Sequence, residues 1–390
     1  SRIRYCRYAL LKYLCFILVF FSFVDFFGVF KHFLELDYKM HSYPMQGNVL
    51  EYAHNKRFNR HLKVHPINIY NYTFIHNSAD KCIRKITSSV PLRLIFLIKS
   101  AMTNFERRST IRKTWGNDIN YPSVRMVFLL GSSNNKDLER LIKKEFNQFN
   151  DIVKANFIDS YYNNTIKTLM GFQWALDYCA DCPYLMFVDD DYFVSTKNVL
   201  RYIQSPFKYQ YNFKEKFNKN EYISSYSVHN GTYFSINIKS SNMTNVNYKT
   251  KLKNLDPEIR KDQLKLFAGF EFRSSPHRHK WSKWYISLKE YPFNMWPPYV
   301  TAGAYILSRD ALVEMYFVSM FTKHFKFDDI YLGIVALKAK INITHSDYFY
   351  FRKAIYSKPT DYRRVIASHG YGDHKELLRI WSECYSAGFA

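Results

Sequence analysis

The chain of 390 residues is short of acidic side chains. It contains 33 Asp and Glu against 56 Lys and Arg, which gives a formal net charge of +23 at pH 7. A basic excess of this size points to an anionic partner: a nucleic acid, a membrane surface or a phosphorylated substrate. Hydrophobic residues make up 47% of the chain and aromatic residues 19%. That composition excludes general disorder and provides for a substantial core.

Cysteine is also scarce, and its pattern argues against a zinc site. Cys179 and Cys182 form the sequence CADC, but no second Cys pair or His pair completes a zinc-binding set. Cys6 and Cys15 belong to the amino-terminal segment. The remaining cysteines form an even set, Cys82, Cys179, Cys182 and Cys384. Four cysteines in an oxidising compartment predict two disulfide bonds, with the pairing left open.

One apolar run, residues 13–30, approaches the length of a membrane span and contains a single charged residue, Asp25. Nearby basic residues lie mainly on its amino-terminal side, at Arg2, Arg4, Arg7 and Lys12, against Lys31 directly after it. That asymmetry favours a cytosolic amino terminus, and no small-residue cleavage site follows the run. We therefore predict a cytosolic tail over residues 1–12 and a single-pass signal anchor over residues 13–34. A cleaved signal peptide and an ordinary core helix are the alternatives.

An anchor in this orientation sends the rest of the chain into the secretory lumen. Sequons of the form Asn-X-Ser/Thr fit that location, because they are glycosylated only there. The chain has them at Asn71, Asn163, Asn230, Asn242 and Asn342. Residues 35–90 are polar and weakly periodic, which predicts a stem. Residues 205–264 are rich in Asn and Lys and predict an inserted surface loop with a short strand near residues 222–228.

From residue 91 the chain alternates short apolar runs with helical patterns. The apolar runs predict buried strands at residues 92–98, 124–131, 151–159 and 184–188. The periodic segments predict helices at residues 104–115, 135–149, 163–179, from 195, and 327–340. This alternation predicts an α/β sheet covered by helices on both faces. In such sheets, ligands bind beyond the carboxyl ends of the strands.

Three consecutive aspartates, Asp189, Asp190 and Asp191, follow the apolar run in YLMFVDDDYFVS. One of them could simply cap the next helix, a role that needs only one side chain. Alternatively, carboxylates at a strand end converge on a hard divalent cation such as Mg²⁺ or Mn²⁺, which then binds a diphosphate. A carboxyl pair that shares a proton is disfavoured, because adjacent residues of an extended chain point in opposite directions.

Seven blocks of sequence occur here in the order seen in the β-1,3-glycosyltransferases of family 31. They are ERRSTIRKTWG, FLLG, DSYYNNTIKTLMGFQWALDYC, YLMFVDDDYFV, KWYIS, WPPYVTAGAYILS and FDDIYLGI. The chain thus resembles the β-1,3-galactosyltransferase and β-1,3-N-acetylglucosaminyltransferase group of that family. The resemblance implies a GT-A fold over residues 91–390: a mixed sheet flanked by helices, with a Rossmann-like nucleotide-sugar domain. It also implies a type II protein of the Golgi membrane with a lumenal catalytic domain.

By this resemblance, the three aspartates correspond to the family's DxD motif. Asp191 would then be the direct Mn²⁺ ligand, together with Asp189, while Asp189 and Asp190 would lie near the ribose and phosphates of the donor. His369 stands where family members carry a histidine of the metal shell, and His374 is its nearby competitor. The chemistry agrees, because a bound cation stabilises the charge of a departing nucleoside diphosphate.

Asp328 and Asp329 resemble the acidic pair whose second member is the family's catalytic base. An inverting transfer needs one carboxylate to accept the proton of the acceptor hydroxyl, so Asp329 is the predicted base and Asp328 its substitute. Capping of the following helix is the alternative and is compatible with catalysis. Further donor contacts are predicted at Arg108, Arg112 and Lys167, although the two arginines could instead pair with carboxylates at the edge of the core. Acceptor contacts are predicted at Trp296, Tyr299 and Gly303.

The sequence thus predicts a metal-dependent inverting enzyme. It would transfer a hexose, galactose in the first place, from a UDP-sugar to the 3-hydroxyl of a terminal sugar on a glycan. Transfer of N-acetylglucosamine or N-acetylgalactosamine is the alternative. Residues 302–304 are Ala-Gly-Ala, where members of the family it resembles more often have Gly-Gly, so the identity of the acceptor is left undecided. An inactive glycan-binding relative is disfavoured by the intact acidic motifs, and nucleic-acid binding by the predicted compartment.

Overall fold

A computed structural model describes residues 2–42, 48–82, 90–117, 119–206, 209, 223–229, 232–238 and 265–390. The strands of this part are β1 Phe74–His76, β2 Leu94–Lys99, β3 Val124–Ser132, β4 Ile152–Ile158, β5 Tyr184–Asp189, β6 Phe193–Val194, β7 Ile223–His229, β8 Thr232–Ile238, β9 Phe267–Phe272, β10 Tyr299–Ser308, β11 Ile343–His345, β12 Phe349–Tyr350 and β13 Ala367–Ser368. Its α-helices are α1 Arg2–Phe26, α2 Val29–His32, α3 Val49–Arg57, α4 Phe105–Lys113, α5 Lys136–Phe149, α6 Asn164–Tyr178, α7 Thr196–Gln204, α8 Arg309–Ser319, α9 Asp328–Lys338 and α10 His374–Ser386. From β2 to α7, strands and helices alternate where the sequence changes from continuous apolar runs to helical periodicity.

Eight strands form a mixed central sheet in the order β1-β4-β3-β2-β5-β10-β9-β11. Strand β2 runs parallel to both of its neighbours, β3 and β5, and all six of its residues are buried. A strand with helices on both faces is expected to be apolar along its whole length, as LIFLI is. The predicted α/β fold, a mixed sheet flanked by helices, is confirmed.

The sheet separates two hydrophobic cores, because successive strand residues point to opposite faces. Ile95 and Leu97 of β2 face one core, to which α6, α8 and α9 contribute. Phe96 and Ile98 face the other core, to which α4, α7 and α10 contribute. The helices on the two faces thereby hold the carboxyl ends of β2 and β5 side by side. We use "edge of the sheet" below for this side, where these two strands end.

Strand β10 runs antiparallel to β5, and Ala304 pairs with Val188. The residues of β10 before Ala304 consequently extend beyond the carboxyl end of β5. A register shift lies between Val300 and Tyr305, where β10 pairs with β9. Next to this edge, β6 pairs with β13, with Ser368 opposite Phe193. This second, three-stranded sheet brings His369 close to the aspartates that precede β6.

Part of the segment predicted to be a stem is folded onto the central domain, so that prediction is wrong for these residues. Strand β1 pairs with β4 at the end of the main sheet, and Val49 and Ala53 of α3 are buried in the first core. The Asn68 side chain donates to the carbonyl oxygens of Ser319 and Thr322. The sequence does not reveal these contacts, because the hydrophobic residues of this segment are scattered among polar ones. An edge strand of three residues is also too short to show a recognisable periodicity.

Two further predictions concern the amino terminus and the insertion. Helix α1 covers most of the predicted anchor, but no helix in the described ranges is long and apolar enough to cross a membrane, and the anchor is not supported. In the insertion, the predicted short strand is confirmed as β7, which pairs with β8 in a hairpin. The rest of the predicted loop, apart from residues 205, 206 and 209, lies outside the described residues.

One disulfide bond joins Cys82 to Cys179, with a Cα–Cα distance of 5.1 Å. Cys182 and Cys384 are both buried and free. The prediction of two disulfides among these four cysteines is therefore wrong. The bond ties the carboxyl end of α6 to the segment between β1 and β2.

The sequons differ in their surroundings. Asn71 and Asn342 are exposed, as a glycan requires. Asn163 is half-buried, and its side-chain nitrogen donates to the Ile158 carbonyl oxygen at 2.7 Å. Asn230 and Asn242 lie outside the described residues.

Candidate active site

A buried lysine joins the two acidic motifs at the edge of the sheet. Lys99 ends β2 and is the register partner of Asp189 at the end of β5. The Lys99 Nζ lies 3.1 Å from Asp189 Oδ1 and 2.8 Å from Asp328 Oδ2. It also donates to the Ala302 carbonyl oxygen of β10 at 2.8 Å. The structure thus brings Asp189, Asp190, Asp191, Asp328 and Asp329 together, and we call these five residues the acidic edge.

Asp190 points into the protein and is fully engaged there. Its carboxylate accepts hydrogen bonds from Ser100 Oγ at 2.6 Å, Asn104 Nδ2 at 2.8 Å and Arg107 Nη1 at 2.9 Å. Asn104 directly precedes α4, but its side chain makes no capping bond and binds Asp190 instead. Asp190 therefore fixes the start of α4 against the end of β5.

Asp191 faces His369, and the two carry the features of a cation site. His369 Nε2 lies 3.3 Å from Asp191 Oδ2, while the buried Asp191 Oδ1 has no hydrogen-bond partner. The hydrogen bond to Asp191 raises the pKa of His369, against the effect of burial. Burial raises the pKa of Asp191, but the hydrogen bond and charge of His369 outweigh it, and the pKa is lowered overall. His374, the competing candidate, begins α10.

The oxygen of Asp191 and the nitrogen of His369 suit a borderline-hard divalent ion such as Mn²⁺. No group of three or more His, Cys, Asp or Glu residues capable of holding a metal occurs in the described ranges. Asp189, the other predicted ligand, is paired with Lys99. Its pKa is raised to about 7 by burial and by the charges of Asp191 and Asp328, against the attraction of Lys99. The protein residues that fit a cation here are thus Asp191 and His369.

Asp328 and Asp329 begin α9 but differ in their environment. The buried Asp328 accepts from Lys99 and from Thr168 Oγ1 at 3.2 Å. Asp329 is partly exposed, and its Oδ1 accepts from the Ile330 backbone N–H at 2.8 Å. Burial and the neighbouring Asp328 charge raise the pKa of Asp329 to about 7. A carboxyl group poised near neutral pH, with one oxygen available, has the properties of a general base.

The two arginines predicted to contact the donor lie elsewhere. Arg108 is fully buried and donates to both carboxylate oxygens of Glu145. Arg112 pairs with Glu145 at 2.8 Å and with Asp151 at 2.7 Å. These contacts realise the other interpretation of the sequence, pairing with carboxylates of the core. Arg107, which the sequence analysis did not single out, reaches the acidic edge instead.

Lys167 lies behind the acidic edge. Its Nζ donates to the Ser100 carbonyl oxygen at 2.7 Å and pairs with Asp159 at 2.8 Å, and the side chain is buried. Asp159 in turn accepts from the Gly131 backbone N–H at 2.8 Å. This chain of contacts connects the loops that follow β2 and β4 with the end of β3.

The three residues predicted to contact the acceptor lie in different environments. Trp296 is buried against Tyr291, with ring centroids 4.1 Å apart. Tyr299 stacks on Phe272 at 5.7 Å and lies close enough to Asp329 for that charge to contribute to its raised pKa, after the larger effect of burial. Gly303 has no room for a side chain, because a Cβ would lie 2.1 Å from the hydroxyl of Tyr192.

Three residues of the site escaped the sequence analysis: Lys99, Arg107 and Tyr192. The signal for Lys99 was present, since a lysine inside a buried strand requires an anionic partner. Tyr192 follows the aspartates directly, and its ring lies 5.1 Å from that of His369. Arg107 had no signal of its own, because it differs from Arg108 only by its direction on the helix.

A family model described as Galactosyltransferase matches residues 106–251 and 240–347 of the chain. A Drosophila melanogaster protein named Beta-1,3-galactosyltransferase brn is 37% identical over 370 residues, which cover 94% of each chain. The Mus musculus Beta-1,3-galactosyltransferase 1 is 29% identical over 327 residues, which cover 83% of this chain and 82% of the relative.

Likeness to solved structures is more distant. The galactosyltransferase LgtC, in complex with donor and acceptor sugar analogs, is 12% identical with a TM-score of 0.30, covering 74% of this chain and 95% of LgtC. The family match and the identity to the fly protein are sufficient: the chain belongs to the galactosyltransferase family, the β-1,3-glycosyltransferases of family 31, and is a hexosyltransferase.

Proposed function

We propose that the chain transfers galactose from UDP-galactose to the 3-hydroxyl of a terminal sugar on a glycan, with inversion at the anomeric carbon and with a divalent cation. The observation that carries the proposal is the acidic edge. There, Lys99 binds Asp189 and Asp328, and these contacts bring Asp191, which pairs with His369 and suits a cation, near the base-like carboxyl of Asp329. A transfer reaction needs these two functions side by side, one for the leaving nucleotide and one for the attacking hydroxyl.

Asp329 supplies the base. As the acceptor oxygen attacks the anomeric carbon, its O–H bond breaks and the proton passes to the Asp329 carboxylate. The bond from that carbon to the diphosphate oxygen breaks on the opposite face. A pKa near 7 makes the carboxylate a better proton acceptor than an ordinary aspartate while leaving it ionised in mildly basic solution. Asp328 is unsuited to this role, because Lys99 and Thr168 engage its carboxylate.

Asp191 and His369 would hold Mn²⁺. The unpartnered Asp191 Oδ1 is the observation that favours a ligand at this position, because a buried carboxylate oxygen without a partner is costly. When bound, the cation neutralises charge on the diphosphate of the donor. The two carboxylates that precede Asp191 already have cationic partners. Asp189 pairs with Lys99, and Asp190 pairs with Arg107.

Galactose is proposed as the transferred sugar because the relatives that match over most of their length are named β-1,3-galactosyltransferases. N-acetylglucosamine and N-acetylgalactosamine remain the alternatives. We also propose that the domain works in the Golgi lumen. The Cys82–Cys179 disulfide and the exposed Asn71 and Asn342 sequons support an oxidising, glycosylating compartment.

The proposal is tested by offering the protein a panel of UDP-sugars with Mn²⁺ on an array of glycan acceptors, and by identifying the linkage formed. We expect UDP-galactose to give a β-1,3 product. Asp191→Ala should abolish Mn²⁺-dependent donor hydrolysis and transfer while the domain stays folded. For Asp329→Asn we expect donor binding to persist and transfer to collapse.

Two outcomes would contradict the proposal. If Asp191→Ala retained a rate within about threefold of the parent, the cation assignment would fail. Undiminished transfer by Asp329→Asn would remove the base assignment. An absence of UDP release and of product with every donor and acceptor would favour the inactive glycan-binding relative instead.

A further inference from the structure

A pair of exposed aromatic side chains lies outside the acidic edge. Tyr161 precedes α6 and is 50% exposed, and Trp284 lies in the loop between β9 and β10 and is 46% exposed. Trp284 Nε1 donates a hydrogen bond to the Tyr161 hydroxyl at 3.2 Å. The Lys283 Nζ lies 4.6 Å from the ring of Trp284 and 5.5 Å from that of Tyr161. We call Tyr161 and Trp284 the aromatic platform.

Three hydrogen bonds connect the segments that carry the platform with the segment that carries the proposed base. Thr165 Oγ1 donates to the Phe325 carbonyl oxygen at 2.8 Å, which holds the start of α6 against the segment before α9. Thr168 Oγ1 reaches Asp328 itself. Lys326 Nζ donates to the Tyr285 carbonyl oxygen at 3.2 Å, which ties the loop of Trp284 to the same segment.

An electrostatic effect agrees with this position. Burial raises the pKa of Tyr161, and the charges of Asp329 and Asp328 add to the increase. The charge of Asp329, the proposed base, thus acts on the phenol of Tyr161.

Among the tryptophans, Trp284 and Trp281 are exposed. Four other tryptophans are buried, Trp115, Trp174, Trp296 and Trp381. Exposed aromatic side chains beside a catalytic group mark a binding surface. A pyranose ring presents an apolar face of C–H groups surrounded by hydroxyls. Two aromatic rings bordered by a phenol hydroxyl and an ammonium group match both features.

We propose that the aromatic platform binds the second sugar of the acceptor, the one that carries the reacting terminal sugar. This inference rests on the proposed function and extends it, because it makes the enzyme selective for acceptors of two or more sugars. Contacts with a sugar that does not react provide binding energy that orients the reacting hydroxyl toward Asp329. The platform would therefore act on kcat/KM for the acceptor and leave donor recognition to the acidic edge.

The test compares kcat/KM for monosaccharide and disaccharide acceptors in the full chain. The probes are methyl β-galactoside against methyl β-lactoside, and methyl β-N-acetylglucosaminide against methyl β-chitobioside, with UDP-galactose and Mn²⁺. For the parent chain we expect the disaccharide of an accepted pair to be preferred. Trp284→Ala should lower the ratio of disaccharide to monosaccharide kcat/KM about tenfold, and Trp284→Phe, which keeps an aromatic face, should restore most of it.

Trp281→Ala is the matched control. Trp281 is an exposed tryptophan of the same loop, but its ring contacts Phe26, at 5.0 Å, rather than Tyr161. Its replacement should leave the ratio unchanged. If Trp284→Ala lowered both kcat/KM values equally, as general damage to the fold would, the ratio would be preserved. That result would overturn the inference.

The outcomes separate the inference from the function on which it rests. If the parent chain transfers to both members of a pair without preference, the proposed function stands and the platform assignment fails. An equal fall of the ratio in Trp281→Ala and Trp284→Ala would also overturn the assignment. If no acceptor receives sugar and none stimulates UDP release, the proposed function fails and the inference falls with it.

Discussion

Replacing Arg108 by methionine distinguishes the sequence-based role of this residue from the one its contacts indicate. The fully buried guanidinium binds Glu145 through Nε and Nη2 and donates to the carbonyl oxygens of Ala101, at 2.6 Å, and Met102, at 3.1 Å. Methionine has a similar length but no donor. We therefore expect Arg108→Met to lower the stability of the protein and to leave the affinity of the folded protein for the donor nearly unchanged.

The magnitude follows from what remains in the site. Removing one partner of a buried ion pair typically costs about 3–5 kcal/mol. Arg112 still lies 2.8 Å from Glu145 in the variant, so the carboxylate keeps one cation. We accordingly expect the lower end, a loss of about 3 kcal/mol in the free energy of unfolding at pH 7.

Urea unfolding followed by tryptophan fluorescence measures this loss, and its pH dependence tests the cause. Burial raises the pKa of Glu145, but Arg108 and Arg112 outweigh it and lower the pKa below its ordinary value of 4.5. A lowered folded-state pKa contributes stability that is present above pH 4.5 and is lost as the pH falls below it. The difference between parent and variant should therefore narrow in acid, where Glu145 becomes protonated.

Arg107→Met is the matched control, because Arg107 is the preceding residue and is partly exposed. It should change the free energy of unfolding by no more than about 1 kcal/mol while lowering transfer, since its contact is with Asp190 at the acidic edge. A tenfold rise in the donor KM of Arg108→Met, without loss of stability, would refute the reasoning and restore the role predicted from the sequence.

Three other changes test separate parts of the structure. Transfer should rise with pH through about 7, because Asp329 must lose its proton to act as a base; a kcat/KM that is flat from pH 6 to 8 would contradict its raised pKa. Gly303→Ala should destabilise the protein by about 1–3 kcal/mol and reduce transfer, because the new methyl group displaces Tyr192 from beside His369. In urea unfolding, Cys82→Ser should cost about 2–5 kcal/mol, and a reducing agent should remove its difference from the parent chain.

Four adjacent strands of the sheet, β2 to β5, were predictable because their hydrophobic patterns are strong. The predicted strand at residues 92–98 corresponds to β2, and the predicted strand at residues 184–188 to β5. Both are central strands and run parallel to each other, with helices on both faces, so their apolar runs are nearly continuous. Strand β1 was missed, because an edge strand of three residues shows no alternation of this kind and owes its place to pairing with β4.

The arginines of α4 show why side-chain direction is harder to predict than the helix itself. The sequence places Arg108 and Arg112 correctly on one face, and both do bind Glu145. Which face points to the acidic edge depends on how the helix packs on the sheet, and the sequence does not contain that angle. One residue corresponds to a rotation of about 100°, which is the difference between Arg107 at the edge and Arg108 in the core.

Charge balance at the acidic edge also differs from the expectation that a divalent cation holds the three consecutive aspartates together. Each aspartate has a cationic or protonatable partner of its own: Lys99 for Asp189, Arg107 for Asp190 and His369 for Asp191. The protein itself therefore offsets part of the repulsion within the motif.

What distinguishes Asp191 is the oxygen left over. Asp189 and Asp190 point toward Lys99 and Arg107, which also donate to the carbonyl oxygens of Ala302 and Gly372. Of the three aspartates, all of which are among the described residues, Asp191 alone has a buried carboxylate oxygen without a hydrogen-bond partner. A cation at this place would bind one prepared carboxylate and one histidine rather than neutralise three charges. The proposed site is consequently one in which metal affinity can depend strongly on the diphosphate of the donor, since the protein contributes few of the ligands that such an ion requires.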